Sequence, residues 1–132
     1  MAPESWNNPR LSEDLELVPE SGGPRDYAAR TDGPVTYLVV ANAEGVLGYL
    51  WANDADDAAG FVPREAGGDD AYNAWGAWDD ELRRRKERDL PPSRALAELA
   101  EIPGGVRWGR VVPGAPTQAP SLPALRELAA HA

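Results

Sequence analysis

The chain has 132 residues, no cysteine and a formal net charge of −9, from 22 acidic and 13 basic side chains. This length suits one domain with a hydrophobic core, and the missing thiols exclude disulfides, cysteine nucleophiles and thiolate-bound zinc or iron–sulfur clusters. The excess of acid disfavours nucleic acids and anionic membranes as partners, because both would be repelled by most of the surface.

The first 33 residues are rich in proline, glycine, serine and acids, and they predict an extended, partly mobile N-terminal arm. The chain starts with neither a basic leader nor an apolar stretch, and no later segment approaches the ~18 apolar residues of a membrane span. We therefore expect a cytoplasmic protein with one globular domain over residues 34–132.

The strongest strand pattern covers residues 35–52. β-Branched and aromatic residues fill 35–41 and 46–52, and the linking Asn42-Ala43-Glu44-Gly45 favours a type I turn closed by a left-handed glycine. Both faces of both strands are apolar. We expect this hairpin to be covered on both sides or to present an apolar face to a partner.

A short helix is expected next, over residues 56–60, with Asn53 or Asp54 as its N-cap. A longer helix is predicted near residues 70–88, with Asp69 or Asp70 as its N-cap. Its first turn is acidic and its last turn is basic, as the helix dipole favours.

The remaining chain predicts two helices and one strand. Ser93 is expected to cap a helix over 93–102, and Ser121 a helix over 121–131. Between them, residues 106–112 predict a strand, followed by a proline-rich loop over 113–120. The fold class is therefore α+β: a small, mainly antiparallel sheet made of the hairpin and the strand near 106–112, packed by three helices.

The long helix carries two further patterns. Aromatic and aliphatic residues recur at helical spacing and predict a side that packs onto the sheet: Tyr72, Trp75, Trp78 and Leu82. Gly76 interrupts this side, which suggests a close approach by a neighbouring element. Five of the 13 basic residues lie between positions 83 and 88, interleaved with acid, so we expect internal ion pairs rather than a phosphate-binding stripe.

Few chemistries are available to this sequence. His131, the only histidine, lies next to the last residue, so the usual nucleophile and base pairs cannot be assembled. Neither phosphate-binding glycine motif is present. Acids at 54, 56 and 65 match a calcium loop in part, but Ala59 and Pro63 break the match. We expect no catalytic residue, no cofactor and no metal.

Two functions remain open. The first is a non-enzymatic protein that binds and regulates another protein, in the manner of an acidic inhibitor or immunity protein, since tryptophan is enriched at interface hot spots. The second is a small-molecule-binding protein or minor enzyme with a pocket between hairpin and long helix, lined by Tyr37, Tyr49, Trp51, Tyr72 and carboxylates. No motif assigns a family or an oligomeric state. The candidate contact residues are Tyr49, Trp51, Tyr72, Trp75, Trp78, Arg84 and Arg85.

Overall fold

The computed structural model describes residues 26–102 and 108–132. These ranges contain five strands and three α-helices, with one 3₁₀ turn over Glu65–Gly67, and they confirm the α+β class with a mainly antiparallel sheet. In chain order the elements are β1 (Val35–Asn42), β2 (Gly45–Asn53), β3 (Ala58–Pro63), α1 (Gly68–Glu87), α2 (Pro92–Leu99), β4 (Arg110–Val111), β5 (Thr117–Ala119) and α3 (Leu122–His131).

The sheet is built on the predicted hairpin. β1 and β2 pair antiparallel through the turn that Asn42 and Gly45 close, where the Glu44 amide donates to Asn42 Oδ1 at 2.8 Å and Gly45 has a φ of 136°. β3 pairs with the other side of β2, while β4 and β5 share the far side of β1. Among the strands of the described residues, β3 therefore forms one edge of the sheet.

The helices cover both faces of the hairpin. On one face, α1 and α2 pack over a cluster that includes Leu38, Val40 and Leu50. On the other face, α3 packs over a cluster that includes Val35 and Tyr49. This arrangement explains why both faces of both strands are apolar, because each face has its own helical cover.

The buried side of α1 differs from the predicted one. Trp78 and Leu82 are buried as expected, together with Ala71 and Ala74, but Tyr72 is 67% exposed and Trp75 41% exposed. At 100° per residue, positions 71, 74, 78 and 82 point the same way, whereas position 72 lies about a quarter turn outside that direction. In the first two turns of α1, small alanines rather than the aromatic rings pack against the core.

The predicted helix over 56–60 is wrong, because this segment enters the sheet as β3. A turn over residues 54–57 precedes it, with Asp57 in the left-handed region at a φ of 50°. The acids of this turn have structural partners within the chain. Asp56 accepts a hydrogen bond from Thr31, and Asp57 forms an ion pair with Lys86.

The helix starts follow the predicted caps only in part. Ser121 Oγ accepts from the Ala124 amide at 3.1 Å, which confirms the cap of α3. α1 instead starts after Gly67, without a side-chain cap. At α2, Ser93 lies inside the helix, and the Asp54 carboxylate accepts both its amide and its hydroxyl, at 2.8 and 2.6 Å.

Of the predicted strand over 106–112, the described residues 108–112 contain the two-residue strand β4, and residues 103–107 lie outside the described part. Gly109 leads into β4 with a φ of 74°, and a Cβ there would meet the Ala41 carbonyl oxygen at 2.5 Å. The proline-rich segment predicted as a loop contains β5. Its three residues pair with β1, with Ala119 opposite Val35.

The predicted arm over 1–33 lies mostly outside the described residues, so the division into arm and domain stays a prediction. Its last part contacts the body closely. Tyr27 is buried and its hydroxyl donates to the Leu90 carbonyl at 2.7 Å, while Ala28 bridges to Ala58. Within the described ranges, none of the helices combines the length and the apolar character needed to cross a membrane.

Candidate functional site: a cleft at the free edge of β3

A cleft of about 530 Å³ runs along the outer edge of β3, between α1 and α3. We call it the β3-edge cleft. The strand supplies its floor with five consecutive residues, 59–63. The walls come from the start of the described chain, from β2, from α1 and from α3, and the main side chains are Asp26, Trp51, Glu65, Trp75, Asp79, Leu82, Arg83 and Arg126.

The floor of the cleft is a strand edge whose outer backbone groups are only partly paired within residues 26–102 and 108–132. Ala28 pairs with only the first residues of β3, where the Ala59 amide donates to the Ala28 carbonyl at 3.1 Å. Since alternate residues of a strand point their backbone groups to the same side, the amide and carbonyl of Phe61 also point away from β2. Among the described residues, the Phe61 amide has no backbone partner on that side.

A glycine brings a tryptophan ring into the cleft. Gly60 lies opposite Trp51 in the β2–β3 register, and a Cβ on Gly60 would approach the Trp51 indole to 3.0 Å. The ring therefore packs over the bare backbone of Gly60. A larger residue at position 60 would displace the ring from this wall.

The α1 wall combines an aromatic ring with a half-buried acid. Trp75 and Asp79 lie four residues apart, on the border between the buried and exposed sides of the helix. Burial raises the pKa of the Asp79 carboxyl, and the nearby Arg83 counteracts this in part. The cleft thus holds a carboxylate that a cationic ligand would stabilise.

Each end of the cleft carries both acidic and basic side chains. At one end, Arg83 pairs with Asp26 at 2.7 Å and with Asp80 at 2.7 Å. At the other end lie Glu65 and Arg126. In the part of the chain that the structure describes, no ion pair involves Glu65, Asp79 or Arg126.

The basic residues of α1 lie in an ion-pair network on the protein itself. Arg84 contacts Glu81 at 2.9 Å, and Arg85 contacts Glu81 at 2.7 Å and Glu98 at 3.3 Å. Arg88 also contacts Glu98, at 2.8 Å. This network ties α1 to α2 and leaves no continuous positive stripe, which agrees with the internal ion pairs expected from the sequence.

The structure brings only two of the seven predicted contact residues together in the cleft, Trp51 and Trp75. Tyr72 is beside it, with its ring edge-to-face to Trp75 at 6.0 Å. Tyr49 is buried on the α3 face of the sheet, where burial raises its pKa, and its ring contacts that of Tyr37 at 5.7 Å.

The other three predicted residues lie away from the cleft. Trp78 is in the core, and its indole donates to the Trp108 carbonyl at 2.7 Å. Arg84 is exposed, whereas Arg85 is largely buried in the ion-pair network. Sequence reasoning missed Phe61 because residues 56–60 predict a helix, whereas this segment begins the strand that continues through Phe61. Asp79 and Arg126 had no signal beyond their charge.

Residues 26–102 and 108–132 contain no cluster of metal-binding side chains. No group of three or more histidine, aspartate or glutamate side chains in these ranges is arranged to hold a metal ion. Comparisons with protein-family models, curated proteins and solved structures find no significant match to the chain. Any function must therefore be argued from the geometry alone.

Proposed function

We propose that the protein is a non-enzymatic binding module that takes up an extended, basic segment of another protein along the β3-edge cleft. It would act as an acidic regulator or inhibitor of that partner. The observation that carries this proposal is the strand edge at the floor of an aromatic cleft, where the Phe61 amide has no backbone partner among the described residues.

Strand addition is the natural use of such an edge. An exposed sheet edge accepts an extended peptide through main-chain hydrogen bonds, while side-chain pockets along it provide specificity. Residues 59–63 span about 13 Å at the usual rise of ~3.3 Å per residue, enough for a short segment of three to five residues. Pro63, which has no amide hydrogen, limits the pairing at one end.

Charge favours a basic segment. The protein carries a net charge of −9, which attracts cationic partners over a distance. Within the cleft, Asp79 and Glu65 offer carboxylates for Lys or Arg side chains of the partner, and Trp75 offers an aromatic face for a cation or an apolar side chain. Arg126 would face the C-terminal or acidic end of the segment.

The test is selection of peptides from a random display library on the immobilised protein, followed by titration of the selected peptides in two-dimensional NMR. We expect enrichment of Lys and Arg beside apolar residues, and shifts of the Phe61 amide and the Trp75 indole. Trp75→Ala should weaken binding by more than tenfold, as for interface hot spots. Tyr72→Ala removes the neighbouring exposed ring outside the cleft and serves as the matched control.

Three results would count against the proposal: acidic or neutral peptides selected instead, equal loss of binding in both variants, or shifts confined to another surface. A second function has one observation in its favour. The cleft volume of about 530 Å³ falls in the range of small-molecule pockets, with two tryptophans and one half-buried acid. A metabolite that raises the melting temperature and competes with the peptides would favour this alternative.

A further inference from the structure

A second concave site lies at the open end of the hairpin, where β1 begins and β2 ends, against α2. This site, the α2 pocket, has a volume of about 410 Å³. Leu38, Ala52 and Leu96 form its apolar part. Polar groups lie at its two ends, and their charges determine which class of ligand the pocket can bind.

The first end of the pocket carries a carboxylate whose two oxygens are both hydrogen-bonded within the chain. Here the Asp54 carboxylate accepts hydrogen bonds from the Ser93 amide and hydroxyl, at the N-terminal turn of α2. The positive end of the helix dipole and these two donors hold the carboxylate in place and occupy both of its oxygens. This end still offers lone pairs to a neutral hydrogen-bond donor.

The second end of the pocket is negative. Glu101 lies just beyond α2, where the negative end of the helix dipole adds to its charge. Among the described residues that line the pocket there is no lysine, arginine or histidine, and none forms an ion pair with Glu101. Both the side chain and the helix end therefore favour a cation and disfavour an anion.

We propose that the α2 pocket binds a small organic cation, with its ammonium group at Glu101 and a compact apolar body against Leu38 and Leu96. The volume is near the lower end of small-molecule sites, so the body matches one ring or a short branched chain. This site is separate from the β3-edge cleft and does not depend on the function proposed for it.

The experiment compares three probes of nearly equal shape on the full chain: phenethylammonium, 2-phenylethanol and 3-phenylpropionate. We expect phenethylammonium to shift NMR signals of α2 and of Leu38, the alcohol to bind more weakly and the carboxylate weakest. Glu101→Gln should weaken phenethylammonium binding about three- to fivefold, the range of one exposed ion pair. Glu127→Gln removes an exposed charge from α3 and should leave binding unchanged.

Filling the pocket gives an independent check. Ala97 lines it from the exposed side of α2, so Ala97→Trp should abolish binding while the circular dichroism spectrum stays that of a folded protein. The proposal is overturned if the carboxylate probe binds as tightly as phenethylammonium. It is also overturned if binding survives Ala97→Trp, or if the NMR shifts appear at Trp75 instead of α2. Trp75→Ala should not change the binding of the probes, so the proposals for the two sites can be refuted independently.

Discussion

Arg84 and Arg85 are neighbours in sequence, but their guanidinium groups have different surroundings. The Arg85 side chain is 13% exposed, with Nη1 2.7 Å from Glu81 Oε1 and Nε 3.3 Å from Glu98 Oε1. Nη1 also donates to the Glu81 carbonyl at 3.1 Å, whereas Nε is not aligned for a hydrogen bond. Arg84 is 64% exposed, and its ion pair within the described residues is with Glu81.

Replacing each arginine by methionine keeps most of the side-chain stem and removes the charge. Loss of a fully buried pair costs about 3–5 kcal/mol, but Glu81 and Glu98 keep 29% and 37% of their exposure and can be rehydrated. We therefore expect Arg85→Met to lower the free energy of unfolding by about 1.5–3 kcal/mol. Arg84→Met should change it by no more than about 0.5 kcal/mol.

Urea denaturation followed by tryptophan fluorescence measures both values, with the midpoint compared at unchanged m-value. The same two variants should differ in melting temperature by roughly 4–10 °C for a chain of this size. If both arginines prove equally dispensable, or equally important, the assignment of Arg85 as the residue that ties α1 to α2 is refuted.

Gly76→Ala should stabilise the protein by about 1 kcal/mol in thermal denaturation, because a Cβ there has nothing within 4 Å and α1 gains a better helix former. Gly48→Ala should destabilise it by about 3 kcal/mol or prevent folding in the same assay, since the Cβ would meet the Val62 carbonyl oxygen at 2.4 Å. Because burial raises the pKa of Asp79 from its ordinary 3.8, the folded state holds this proton more tightly and loses stability as the pH rises through the raised pKa. Asp79→Asn should therefore melt at a higher temperature at neutral pH and show a smaller fall in stability above about pH 4; an unchanged pH profile would contradict the burial argument.

The fold could be predicted where local pattern and tertiary structure agree. The hairpin follows from β-branched residues and from Asn42 and Gly45, and α3 follows from its Ser121 cap. β3 could not be predicted, because Ala58-Ala59-Gly60 has a weak preference for a strand and becomes one only by pairing with β2. β5 could not be predicted for the same reason, because its three residues lie in a proline-rich segment and form a strand only by pairing with β1.

The candidate site could be predicted even less. The sequence indicates Trp51 and Trp75 as candidate contact residues because the chain offers few other chemical groups. Whether the two rings line one cleft depends on Gly60 and on the rotation of α1 about its axis. The spacing of the aromatic residues predicts the rotation of α1 only to within about a quarter turn. The side that faces the sheet is the one that carries the small residues Ala71 and Ala74. The free edge at Phe61 exists only because β3 is a strand.

Amide hydrogen exchange at Phe61 tests the central claim most directly, because the amide of a free strand edge exchanges with solvent unless a partner accepts its hydrogen bond. Without a ligand, we predict fast exchange at Phe61 and slow exchange at Leu50 on β2. With a bound basic peptide selected on the protein, exchange at Phe61 should slow by more than tenfold, and Trp75→Ala should restore it. A Phe61 amide already protected in the free protein, or one unaffected by a bound peptide, would contradict strand addition at this edge.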